Sequence, residues 1–173
     1  QPPRRRDSVN ATVRYLFDEC IGWPVAEEIS RLSGSKATFA HIVQYFGAEG
    51  TPDRVWVPQL AAEKSWVVIT SDGGKQSRKG DKLPAICLAH DLTHVVLAPS
   101  LHALGTKDKV AALLSLWSEI EMVGSNPLYC RYSLRVKDQR GSRATLSFQL
   151  KPVGEPRPIP PTEGSVSDDC PIN

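Results

Sequence analysis

The sequence predicts an α/β protein: a mainly parallel sheet covered by helices, followed by a C-terminal β-hairpin. Three observations carry this. Trp66-Val67-Val68-Ile69 is an apolar, mostly β-branched run between Lys64-Ser65 and Ser71-Asp72-Gly73-Gly74, the pattern of an inner strand buried on both faces. Strand-like and helix-like segments then alternate up to about residue 123, as in a parallel sheet with crossover helices. Beyond that point, Tyr132, Leu134 and Val136, then Ala144, Leu146, Phe148 and Leu150, alternate with polar residues around Asp138-Gln139-Arg140-Gly141, as in a hairpin with one solvated face.

The elements follow in order. Val13-Arg14-Tyr15-Leu16-Phe17 reads as the first strand, ending at Asp18-Glu19. Gly22 breaks the chain, and Pro24 suits the first turn of a helix carried by Val25, Ala26, Ile29 and Leu32 and stopped near Gly34. Phe39 to Phe46 reads as the second strand. Thr51-Pro52-Asp53 opens another helix, with Thr51 as N-cap, Pro52 at the first position and an acid in the first turn. Val55, Trp56 and Leu60 are its core-facing residues, and Pro58 makes its start irregular. The 66–69 strand comes next, then a glycine- and lysine-rich loop over 73–83. Leu83 to Ala89 reads as a short helix, Thr93 to Ala98 as a fourth strand, and Asp108 to Val123 as one long amphipathic helix.

Length and composition bound the function. The 173 residues suit one domain with a substantial core, and 40% hydrophobic with 23% charged is an ordinary globular composition. A net charge of +2 does not by itself point to nucleic acid. Its distribution says more. Arg131, Arg135, Lys137, Arg140, Arg143 and Lys151 face the single acid Asp138 across the hairpin, and the loop after Asp72 carries Lys75, Arg78, Lys79 and Lys82. Such a basic face serves either as a solvated sheet edge or as a nucleic-acid contact. No apolar run approaches a membrane span and no leader pattern opens the chain. Cys20, Cys87, Cys130 and Cys170 have neither metal-ligand nor redox spacing. Four reduced thiols in a cytoplasmic protein are therefore expected. The chain begins at Gln1, which suggests processing or trimming.

Three acids fall at equivalent places. Asp18 ends the first strand, Asp72 ends the third, and Asp53 opens the helix after the second. In an open parallel sheet all three lie on the rim where ligands bind. Carboxylates brought together repel and raise each other's pKa unless a cation neutralises them. Hard oxygen ligands without His or Cys point to Mg²⁺ or Mn²⁺, which activate water and offset charge on a phosphoryl oxygen. Each acid also has a plainer reading: a cap for Asp18, a first-turn helix acid for Asp53, a turn residue for Asp72. His90 and His94 have i,i+4 spacing but no Glu to complete a zinc motif, and His41 and His102 stand alone. Thr70 and Ser71 lack a paired base, which argues against a nucleophile and leaves them as supports of the acidic site.

Phe17-Asp18-Glu19, Pro52-Asp53 entering a helix with Trp56, Trp66 to Gly74, and Lys82-Leu83-Pro84 with Cys87 resemble the PIN-like domains related to VapC toxins, over about residues 13 to 105. The resemblance implies a Rossmann-like PIN fold, an acidic pocket for Mg²⁺ or Mn²⁺ and ribonuclease activity, blocked in toxin members by a cognate antitoxin. It places Asp18, Asp53 and Asp72 in the acidic pocket, with Glu19 beside them. Many such domains carry a further acid two residues after the Asp72 position; here that residue is Gly74. The candidates for a fourth metal ligand are Glu19, which a continuing strand would point away, and Asp81, on a loop whose glycines let it fold back with substrate; Asp81 is the expected ligand and Glu19 a supporting or structural residue. Asp81 is also read as a solvated loop acid.

The chain is thus read as a basic N-terminal segment (1–12), a PIN-like domain (13–123), a hairpin extension (124–151) and a Pro-rich tail (152–173). The expected function is metal-dependent RNA cleavage, with Asp18, Asp53 and Asp72 catalytic and Lys75, Arg78, Lys79 and Lys82 steering the backbone. RNA, an antitoxin and a second copy of the chain are the candidate partners. A non-catalytic RNA- or protein-binding module and a small-molecule phosphohydrolase are the alternatives.

Overall fold

The computed structural model describes residues 12–72, 82–125, 131–137 and 147–153, the last two segments as backbone alone up to residue 149. Six strands form one sheet: β1 (Arg14–Phe17), β2 (Thr38–His41), β3 (Trp66–Thr70), β4 (Thr93–Leu97), β5 (Arg131–Lys137) and β6 (Ser147–Pro152), in the order β2-β1-β3-β4-β5-β6. All neighbours from β2 to β5 are parallel, and β5–β6 is antiparallel. β1 lies between β2 and β3, with Phe17 opposite both His41 and Ile69. All five residues of β3 are buried, as its unbroken apolar run requires.

Strand alternation divides the core into two layers. Tyr15, Phe17, Val67, Ile69, Val95 and Leu97 face one side. There they meet α1 (Trp23–Leu32), α5 (Pro99–His102), α6 (Thr106–Ser115) and α7 (Trp117–Ser125). Leu16, Val68 and Trp66 belong to the other layer, with α2 (Ile42–Phe46), α3 (Asp53–Glu63) and α4 (Leu83–Ala89). The chain therefore leaves β1 toward one face and β3 toward the other. The crevice between the carboxyl ends of these two neighbouring strands is the topological switch point of the sheet.

Several expectations change in detail. The strand read from Phe39 to Phe46 ends at His41, and Ile42–Phe46 is helical. Gly47, at φ 74°, closes that helix, its N–H bonding to the Val43 carbonyl. Thr51 is not the N-cap of α3. Pro52 holds that position, and the Thr51 hydroxyl donates to the Ala48 carbonyl. Val55 is 45% exposed, whereas Trp56, Val57 and Leu60 are buried, so the apolar stripe starts one residue later than expected. Leu32 also faces solvent, at the end of α1. The long helix over 108–123 is two helices broken at Leu116. Just before the break, the Ser115 hydroxyl donates to the Ala112 carbonyl and competes with the helical ladder. The break lets Leu113, Trp117 and Ile120 all reach the core. In α7, Gly124 allows close approach to the sheet: a Cβ there would stand 2.7 Å from Val13 Cγ1 and 3.1 Å from the Tyr15 hydroxyl.

The two C-terminal strands continue the sheet, β5 joining β4 in parallel before β6 folds back. The turn expected at Asp138 to Gly141 lies outside the described residues, as do the N-terminal segment, the Pro-rich tail, Cys130 and Cys170; the side chains of the basic hairpin face between 131 and 149 are likewise undescribed. Cys20 is a half-buried free thiol, and Cys87 is buried in the core. Among the described residues no helix is long and apolar enough to cross a membrane.

Candidate active site

The site begins where β1 runs out. The Asp18 N–H donates to the Ile69 carbonyl of β3, which carries the pairing one residue past the strand. The chain then turns at once into a 3-10 turn, Glu19–Ile21, which Asp18 caps: its Oδ1 accepts the Glu19 N–H at 2.8 Å. Gly22 ends the turn at φ 83°, a backbone conformation that disfavours a side chain, and launches α1. The capping role and the rim position read for Asp18 are thus both present, and the residue is buried, at 9% exposure.

A buried carboxylate must be satisfied. Asp18 Oδ2 accepts the Thr70 hydroxyl at 2.7 Å, and Cys20 Sγ approaches the same oxygen at 3.1 Å. Thr70 Oγ1 in turn accepts the Asp72 N–H at 2.9 Å, and Cys20 Sγ accepts the Ser71 N–H at 3.2 Å. Thr70 and Cys20 therefore stitch the end of β1 to the end of β3 and set the path of the chain into Asp72. Cys20 is the member of this cluster that the sequence reading missed. Its only signal was its place two residues after Asp18 in a chain about to turn. Burial, then the charge of Asp18, raises its thiol pKa above the ordinary value, against the hydrogen bonds from Ser71 and Thr70.

Asp53 opens α3, where the helix dipole favours an acid. Its carboxyl is nevertheless pushed up to about 6, first by burial, then by the charge of Asp18, with Asp72 and Glu19 adding to it. The Trp56 indole N–H, 3.1 Å from Asp53 Oδ1, opposes the rise. Asp18, Asp53, Asp72 and Glu19 thus share one electrostatic neighbourhood at the switch point. Glu19 does not point away as a continuing strand would have it, because the chain turns: its carboxylate accepts the Gly50 N–H and ties down the loop that leads into α3.

Among the described residues no three Asp, Glu, His or Cys side chains stand close enough, as placed, to share one ion. Asp18 is turned to its Thr70, Cys20 and Glu19 partners, and Asp53 to Trp56. The donor set is of the all-oxygen kind that suits Mg²⁺ or Mn²⁺. Burial raises the Asp53 carboxyl most, and the part that Asp18, Asp72 and Glu19 add is a negative charge that a cation would relieve. Chemically the donor set fits such an ion, although the side chains are not arranged around one.

A family model described as a PIN-like domain matches residues 13–99, half of the chain and all the elements that build this rim. The chain belongs to the PIN-like domain family. PIN-like domains are in general nuclease-type modules. No curated protein and no solved structure matches the chain significantly.

Of the remaining site residues read from the sequence, Asp81, Lys75, Arg78 and Lys79 lie outside the described residues of this PIN-like domain. Lys82 is half-buried as the N-cap of α4. His90 and His102 are exposed, and His94 is buried within β4. His41 ends β2 beside the acids. Burial lowers its pKa, against the pull of Asp18 and Glu19.

Proposed function

We propose that this PIN-like domain is a metal-dependent endoribonuclease whose acidic centre is Asp18, Asp53 and Asp72. The observation that carries the reading is the placement of Asp18 at the end of β1, Asp72 after β3 and Asp53 at the start of α3, around the switch point of the sheet; the Asp53 carboxyl, raised first by burial and then by the charge of Asp18, with Asp72 and Glu19 adding to it, agrees with it. Asp18, Asp53 and Asp72 would hold Mg²⁺ or Mn²⁺, and Glu19 or Asp81 is the candidate fourth carboxylate. When bound, the ion supplies an activated water and offsets charge on the phosphodiester. The protein's share is positional. Thr70 orients the Asp18 carboxylate and the Asp72 backbone together, and Trp56 orients Asp53. Lys75, Arg78, Lys79 and Lys82 are the cations available to meet the RNA backbone. A cytoplasmic toxin restrained by an antitoxin is the narrower form of this reading.

The test is cleavage of a mixed-sequence RNA with Mn²⁺, with Mg²⁺ and with EDTA, by the wild type and by Asp18→Asn and Asp72→Asn. Metal-dependent cleavage, reduced at least about 100-fold in both variants, supports the proposal. Metal-independent cleavage, or full activity in the variants, sinks it. RNA binding without cleavage would instead favour the non-catalytic module.

A further inference from the structure

Beside the acids, on the β2 side, lies a cavity of about 540 Å³ lined by Glu19, Trp23, His41, Val43, Gln44 and Glu49. It shares Glu19 with the acidic neighbourhood. None of its other lining residues has a part in the proposed cleavage.

Its chemistry is specific. Trp23 is 37% exposed, while Trp56, Trp66 and Trp117 are all buried. Its ring is braced edge-on by His41 at 5.9 Å and follows the Gly22 turn directly. That leaves a held aromatic face at the mouth of a cavity, a stacking platform for a planar base. The His41 ring is 5% exposed, and its Nε2 has no hydrogen-bond partner among the described residues. A buried polar atom of that kind is commonly completed by an ordered water. Glu49 sits in the loop that Glu19 pins through the Gly50 N–H, and Gly47 and Gly50, at φ 74° and 69°, give that loop its turns. Gln44 stands nearby with an amide that both donates and accepts.

We propose that this cavity is a guanine-binding pocket that selects the RNA residue beside the cleavage point. The proposal rests on the reading of the acids as a nuclease centre. Carboxylates only accept hydrogen bonds, so the pocket favours a base edge with two adjacent donors and repels one rich in acceptors. Guanine offers N1–H and N2–H side by side to Glu49, with O6 next to them for the Gln44 amide. Adenine and cytosine offer one amino group beside a ring-nitrogen acceptor, and uracil one N–H between two carbonyls. Trp23 supplies the stack. The volume admits a purine, since ligand cavities start at about 300 Å³.

The full chain is titrated with guanosine, adenosine, cytidine and uridine in EDTA, following tryptophan indole N–H resonances. The Trp23 signal is assigned by its loss in Trp23→Phe. Guanosine is expected to shift the Trp23 signal with affinity about 10-fold above the others, and Glu49→Gln to bring it down to their level. A pentanucleotide with one guanine in a uridine background is expected to bind more tightly than guanosine, which distinguishes RNA from a free nucleotide as the source of the base. Equal responses to all four nucleosides, an unmoved Trp23 signal or full guanosine selectivity in Glu49→Gln overturns the pocket. A pentanucleotide no tighter than guanosine overturns RNA as its ligand. Guanosine selectivity in a protein that never cleaves RNA supports the pocket and removes only the nuclease reading.

Discussion

Replacing Asp53 by Asn should stabilise the metal-free protein at neutral pH. The carboxyl titrates near 6 in the fold against 3.8 for the ordinary group. A raised native pKa means that the native state holds the proton more tightly than the unfolded chain does. The associated stability is complete below about 3.8, falls as pH rises, and is lost above about 6. At pH 7.5 the wild type therefore carries an unfavourable charge. The shift corresponds to at most about 3 kcal/mol. Asp53 is only partly buried, so solvent screening reduces the expected gain to about 1–2 kcal/mol. Asn is nearly isosteric and keeps an oxygen for the Trp56 indole N–H, so no packing is lost. That gain is a rise of about 2–8 °C in Tm for a chain of this size. The assay is thermal melting in EDTA from pH 4 to pH 8. The gap between variant and wild type should be widest at pH 7.5 and nearly closed at pH 4. Millimolar Mn²⁺ should then stabilise the wild type more than the variant, because an ion that binds only the folded state raises its stability. A destabilised variant at pH 7.5, or a gap that ignores pH, would refute the account of Asp53.

Further outcomes follow from the same contacts. Thr70→Val removes the hydroxyl that donates to Asp18 and accepts the Asp72 N–H, and should cost about 1–3 kcal/mol in urea unfolding. If the acids form a nuclease centre, the same variant should lose RNA cleavage well beyond its loss of stability. Cys20, whose thiol pKa is raised, should react with iodoacetamide at pH 8 at least about 10-fold more slowly in the folded protein than in the unfolded chain; equal rates, followed by mass spectrometry, would contradict its burial beside Asp18. Gly124→Ala should destabilise by about 1–3 kcal/mol despite alanine's better helix propensity, because its Cβ meets Val13 and Tyr15. An unchanged or higher Tm would show that α7 can move off the sheet.

What the sequence determined by itself was the parallel α/β class and the rim positions of three acids. Buried inner strands must be continuously apolar, and a chain leaving such a strand must change composition. The run Trp66 to Thr70 and the step from Phe17 to Asp18 therefore mark both strand and rim without any knowledge of contacts. The 42–46 segment was illegible for the opposite reason. Its apolar residues are too few to show a period, and the Gly47 helix stop decides it only once the turn has formed. Order in the sheet was out of reach as well. That β1 lies between β2 and β3 depends on which faces bury together, and this order creates the switch point around which the acids lie. Cys20 and Glu19 belong to the same class. A 3-10 turn brings the thiol back onto Asp18 and swings Glu19 onto the 47–52 loop, so one dipeptide serves both the acidic cluster and the neighbouring cavity. Local spacing can place a residue on a strand end. Which partner it meets there is decided by the backbone hydrogen bonds and packed side chains of residues some thirty to fifty positions away, as between Asp18 and Thr70 and between Glu19 and Gly50.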